Sequence, residues 1–230
     1  MKKQTLCAGL IMTSALMTLR AAVPAWDDPQ VNEINRLPMR ASYFAFPAGE
    51  NVTDKTASAN YLSLDGTWRF HYVDDRNKRP GAEVTAPGYD DSSWGFINVP
   101  GMWQLNGYGQ PMYLNIGYPW RGNFSNNPPH TPDRENAVGT YRRTVNIPAD
   151  WKGKDIIAHF GSATSNLTVW VNGKKVGYGE DSKLAQEYDI TPYITPGRDN
   201  QITLQIDRWC DGTYIEDQDF FRLAGLAREN

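Results

Sequence analysis

The chain has 230 residues, of which 40% are apolar, 21% charged and 12% aromatic, with 20 Gly and 15 Pro; this mix excludes collagen-like, coiled-coil and wholly disordered chains. Lys+Arg 23 against Asp+Glu 26 leaves a net charge of -3, without the basic field that nucleic acid or anionic lipid requires. Two cysteines exclude a disulfide framework or a multi-cysteine zinc site.

At the N-terminus, Lys2 and Lys3 precede an apolar stretch over 6–19, small residues and Val23-Pro24-Ala25. That is the charged region, apolar core and small-residue cleavage site of a secretory signal, and it falls short of the ~20 apolar residues that span a bilayer. The signal predicts export to the periplasm or medium, with no membrane attachment after cleavage. Cutting after Ala25 removes Lys2, Lys3 and Arg20 and no acid, taking the net charge from -3 to -6. Cys7 leaves with it, so Cys210 stands alone and reads as a small buried hydrophobe at a strand end.

Residues 26–60 show little periodicity and read as an irregular, surface-wrapping arm ahead of a domain over 61–230. Over 66–73, Trp68, Phe70 and Tyr72 alternate with Arg69 and His71, the pattern of a half-buried strand. Residues 80–94 are turn-rich, and 97–100 form a short strand cut by Pro100. Residues 104–138 are rich in Gly and Asn and carry Pro111, Pro119, Pro128, Pro129 and Pro132; ordered loops of this length are usually functional. Strand patterns follow at 141–147, 156–160 and 167–171. Asn172-Gly173 then gives the strongest short hairpin signal, returning through 174–178. Ile202, Leu204 and Ile206 alternate before Trp209. No segment sustains helical period for three turns. Short strands with Gly/Pro/Asn turns predict an all-β antiparallel sandwich of jelly-roll or Greek-key type.

Eight tryptophans invite a carbohydrate reading, although a sandwich also uses Trp as core filler. His71, His130 and His159 are far apart and share no ligand spacing. No nucleophile elbow, P-loop or dinucleotide fingerprint occurs. The densest polar cluster is 207–219. A glycosidase needs two carboxyls flanking the scissile bond, about 5–5.5 Å or 6.5–9.5 Å apart, and Glu216 and Asp219 could be cast in that role. Neighbours in one loop face the same way, however, so the cluster reads better as a solvated acidic turn or as carboxylates that bind hydroxyls and hard cations.

Several stretches together resemble the start of bacterial β-galactosidases of glycoside hydrolase family 2. They are Asn35-Arg36-Leu37, Leu64-Asp65-Gly66-Thr67-Trp68-Arg69-Phe70, Val99-Pro100-Gly101-Met102-Trp103-Gln104, Tyr113-Leu114-Asn115-Ile116-Gly117-Tyr118-Pro119 and Asn127-Pro128-Pro129. Trp170-Val171-Asn172-Gly173, Val176-Gly177-Tyr178-Gly179-Glu180-Asp181-Ser182, Arg208-Trp209-Cys210-Asp211-Gly212 and Glu216-Asp217-Gln218-Asp219-Phe220-Phe221-Arg222 continue the set in order. The resemblance implies a sugar-binding jelly roll packed on a catalytic α/β barrel of the same or a companion chain, in a family that is often homo-oligomeric. It implies that Asn115 hydrogen-bonds galactose, and that Asp219 contacts the galactosyl group and ligates an active-site sodium ion. The general acid/base, the nucleophile, the other sodium ligands and the magnesium ligands belong to the barrel. No catalytic residue falls within these 230 positions, so the chain alone is expected to be inactive. The family usually continues Ser-Gly-Ile-aromatic-Arg-Asp-Val where this chain has Leu223-Ala224-Gly225-Leu226-Ala227-Arg228, so a final strand is expected to be missing. A free-standing carbohydrate-binding module, or part of a β-glucuronidase or β-mannosidase relative, is the alternative.

Overall fold

The computed structural model describes residues 23–51, 53–216 and 219–230. The secretory signal read over 1–25 therefore lies outside the described residues except for its last three positions, and so do Cys7, Asp217 and Gln218. Among the described residues there is no α-helix, only short 3-10 turns between strands, as the turn-rich sequence predicts. Among the described residues, no helix is long and apolar enough to cross a membrane.

Among the described residues fourteen strands occur in chain order: β1 (Glu33–Ile34), β2 (Gly66–Val73), β3 (Gly95–Val99), β4 (Gly101–Met102), β5 (Tyr113–Leu114), β6 (Val138–Asn146), β7 (Ile157–Phe160), β8 (Ala163–Thr164), β9 (Asn166–Val171), β10 (Lys174–Glu180), β11 (Gln186–Asp189), β12 (Asp199–Asp207), β13 (Phe220–Phe221) and β14 (Gly225–Leu226). Seven form one sheet in the order β1-β10-β9-β12-β6-β2-β3, and β11-β7, β13-β5 and β4-β14-β8 form three small sheets. All pairings are antiparallel. The all-β antiparallel sandwich expected from the sequence is what forms.

Its core is one cluster shared by the large sheet and the small ones. Val169, Leu204, Val145 and Phe70 of the former pack with Ala158, Phe160, Tyr188, Ala163 and Leu226 of the latter. Trp68, Trp103 and Trp151 belong to it, as the core-filler reading anticipates; Trp94, Trp120 and Trp209 are buried outside it, and Trp26 and Trp170 are half-buried. Their N–H groups find acceptors, Trp68 on Leu64 O at 2.8 Å and Trp151 on Ala59 O at 2.8 Å, which removes the penalty of a buried polar atom. The β9–β10 hairpin closes at Asn172 (φ 50°) and Gly173 (φ 79°), the paired left-handed residues of a tight hairpin turn.

The arm is less irregular than its sequence suggests. It adds β1 to the sheet edge along β10, and Arg36 Nη1 donates to Glu180 O at 3.0 Å. Leu37 N donates to Glu187 O at 2.8 Å. Between the arm and β7 runs a groove of about 790 Å³, lined in part by Ile156, Ile190 and Ile202. At the other end of the sequence, β14 pairs on both sides. Gly161 N donates to Glu229 O at 3.1 Å, and Leu64 N to Asn230 O at 2.9 Å.

Candidate functional site

Strand β12 delivers Asp207 to one end of the large sheet, and the chain then turns through 211–214 and returns along β13. Burial alone would raise the Asp207 carboxyl, but Arg79 and Arg76 outweigh it and hold the group below the usual carboxylate range. Arg76 Nε lies 3.2 Å from Asp207 Oδ1, and its Nη2 donates to Trp209 O at 2.6 Å and Thr131 Oγ1 at 3.0 Å. Asn136 and Trp209 exchange two hydrogen bonds of 3.0 Å each. Loop 104–138 is thereby tied to the end of β12. Tyr214 extends the tie: its hydroxyl accepts from Asn127 N at 3.1 Å and donates to His130 O at 2.9 Å, and its ring meets Tyr118 and Trp120 edge-on.

The solvated acidic turn expected over 207–219 holds only in part. Asp207 and Asp211 are buried. Glu216 is half-buried, accepting from the Ser182 hydroxyl and lying 3.7 Å from Arg222. Those contacts tie Glu216 to Ser182 and Arg222. Beneath the turn, Tyr178 donates to Glu180 at 2.5 Å, and burial pushes the Glu180 carboxyl up to about 8 beside Asp211. Cys210 is buried at the strand end, as expected. Burial raises its thiol, with the Glu180 charge adding to the effect, so it is not a reactive nucleophile. Glu180, Cys210 and Asp211 each place one donor atom within 4.8 Å of the others, but a carboxyl that holds its proton near neutrality is a poor metal ligand.

The two residues singled out by the resemblance come together. Phe220 and Phe221 of β13 pair with Leu114 and Tyr113 of β5, and the ladder continues as Asp219 N donates to Asn115 O at 3.1 Å. Asp219 takes φ 57°, a left-handed conformation that Asp tolerates better than most residues. Both side chains are exposed. The Asn115 amide has no partner among the described residues, and one Asp219 oxygen accepts from the Tyr113 hydroxyl. Chemically, the pole offers an amide that donates and accepts, and a carboxylate that accepts sugar hydroxyls or one hard cation. Among the described residues it supplies one carboxylate, already accepting from Tyr113, fewer oxygens than a hard cation takes, so it could hold only part of a sodium shell. A pocket of about 220 Å³ lies alongside, lined in part by Ser182, Arg208, Glu216 and Phe220; neither Asn115 nor Asp219 lines it. Around the pair, Tyr113, Ile116, Ile215 and Phe221 are exposed apolar side chains, Ile215 at 91%. Tyr113 belongs to the Tyr-x-Asn motif, yet the sequence alone gives it no role; its contact with a residue 106 positions away supplies one.

An antiparallel β-sandwich that gathers an exposed amide and an exposed carboxylate at one pole is the architecture, and comparison with known proteins gives its family. The description "Glycosyl hydrolases family 2, sugar binding domain" matches residues 61–230, and the chain belongs to that family. It is 37% identical over 209 residues to a β-galactosidase of Priestia megaterium (strain DSM 319 / IMG 1521), covering 90% of this chain and 20% of that protein. With the β-galactosidase large subunit of Leuconostoc lactis it shares 34% identity over 215 residues, covering 88% of this chain and 34% of the subunit. The chain thus spans a fifth to a third of the length of these relatives. The β-glucuronidase of Bacteroides uniformis superposes with a TM-score of 0.53 at 24% identity, over 73% of this chain and 17% of that one; this likeness is one of fold.

Proposed function

We propose that this chain is the sugar-binding part of an exported β-galactosidase, lending Asn115 and Asp219 to an active site completed by a catalytic barrel. The observation that supports it best is the convergence of these two residues, 104 positions apart in sequence, on adjacent exposed positions of one pole. The apolar side chains around them suit burial against a second domain. In this reading Asn115 and Asp219 orient the galactosyl hydroxyls, and the acid and nucleophile come from the barrel. Asp219 would also be one ligand of a sodium ion, which when bound would supply a positive charge to orient a sugar hydroxyl; magnesium would sit wholly within the barrel. The charged and then apolar N-terminus supports export to the periplasm or medium.

Two polar groups in water contribute roughly 0.5–1.5 kcal/mol each, more when one is charged, so the pole alone should bind galactose no better than millimolar. The pure chain is expected to leave an aryl β-galactoside intact. Joined to the catalytic portion it should hydrolyse the β-galactoside and spare an aryl β-glucuronide. Hydrolysis by the pure chain, or a preference for the glucuronide by the joined protein, overturns the proposal.

A further inference from the structure

We propose that Tyr113 is the positioning residue of Asp219, setting the direction in which its carboxylate is presented; this rests on the reading of Asp219 as a ligand-facing group. The backbone brings the two together without fixing the carboxylate. Asp219 stands one residue before β13, in a left-handed conformation, with its N–H on Asn115 O. An exposed Asp side chain there has three staggered wells open to it, and among the described residues Tyr113 is its hydrogen-bond partner. Tyr113 removes that freedom. Its hydroxyl donates to Asp219 Oδ1, leaving Oδ2 and the remaining lone pairs for a sugar hydroxyl or a cation.

The phenol is itself held. Tyr113 sits opposite Phe221 in the β5–β13 register, with ring centroids 5.2 Å apart at 61°. The ring–ring contact thus aims the hydroxyl, and the hydroxyl aims the carboxylate. Releasing one held well into three dilutes the competent conformer about threefold, and apparent affinity falls by the same factor.

The test has two arms. In the 230-residue chain, three-bond NMR couplings across Asp219 χ1 should report one rotamer, and Tyr113→Phe should average them; couplings unchanged by Tyr113→Phe overturn the inference. In the longer glycosidase that carries this chain, galactose titrated by calorimetry should bind about threefold more weakly in Tyr113→Phe and about tenfold or more weakly in Asp219→Asn. The double variant should match Asp219→Asn, since a positioning residue has nothing left to position. A further loss in the double variant means that Tyr113 touches the sugar itself and overturns the inference. If Asp219→Asn weakens binding while Tyr113→Phe does not, the inference likewise fails. If Asp219→Asn binds galactose like the unmodified protein, the reading of the site fails, and the rotamer arm still decides whether Tyr113 holds Asp219.

Discussion

From Asn200 to Asp207 every residue of β12 is buried, and the strand is paired on both sides; β13, a few residues further on, is two residues long, paired on one side and exposed at Phe221. The same stretch of chain thus runs from an enclosed strand of the sandwich to an open one. Apolar burial at roughly 25 cal/mol per Å² stabilises the first, whereas a few hydrogen bonds and ring contacts hold the second. In the proposed reading, the recognition groups sit where another surface can still cover them. Between the two lies a junction of buried polar groups, the Arg76–Asp207 ion pair and the protonated Glu180 beside Asp211, that makes the pole an extension of the sheet.

Breaking that junction should have the largest effect. Arg76→Ala leaves Asp207 buried beside Arg79 alone and strips donors from Trp209 O and Thr131. Removing one partner of a buried pair costs about 3–5 kcal/mol, to be read from urea unfolding. A loss under about 1 kcal/mol would mean that the pole is not coupled to the sheet through this residue.

Glu180 sharpens the comparison through pH. Its folded-state pKa, about 8 against an ordinary 4.5, means that the folded chain keeps a proton the unfolded chain has released. The stability it provides is present below about pH 4.5 and is lost as pH rises toward and through 8, by an amount on the order of a few kcal/mol. Urea midpoints should therefore fall between pH 5 and pH 8.5. Glu180→Gln, which keeps an acceptor for Tyr178 and a donor toward Asp211, should flatten that fall; an equally steep fall in the variant would contradict the assignment.

The smallest effect belongs to the pole itself. Tyr214→Phe removes a hydroxyl that bridges Asn127 N and His130 O, and should cost about 1 kcal/mol while speeding amide exchange at Asn127 and leaving β12 amides protected. Uniform loss of protection across β12 would show that sheet and pole open as one unit.

The sequence is legible in proportion to how local each cause is. Alternation over 66–73 and 202–206 marks β2 and β12, and Asn172-Gly173 marks the hairpin, because side-chain period and turn geometry are properties of neighbours. β11 carries Gln186-Glu187-Tyr188-Asp189 and reads as polar surface, yet Gln186 and Tyr188 are fully buried, their side chains hydrogen-bonded to each other. β1 has two residues, too few for any period. Asp207 looks like the first acid of a solvated turn because Arg76 is 131 positions away. Asn115 and Asp219 are different again. Nothing in their local sequence marks them; the family resemblance picks them out, and the β5–β13 pairing brings them side by side.

The central claim is that this pole takes part in galactoside recognition while the rest of the sandwich supports it. It is tested most directly by kcat/KM for an aryl β-galactoside in the longer glycosidase carrying Asn115→Ala, Asp219→Asn or Asp150→Asn. Asp150 is an exposed carboxylate just beyond Asn146, at the end of β6 opposite the Val138 that pairs with Asp207. A lost hydrogen bond to a charged group is worth about 1.5–3 kcal/mol, so Asp219→Asn should lower kcat/KM by about ten- to a hundredfold. Asn115→Ala should lower it by a smaller factor, and Asp150→Asn should leave it unchanged. Equal turnover by all three variants and the unmodified enzyme would contradict the account, as would an equal loss from Asp150→Asn.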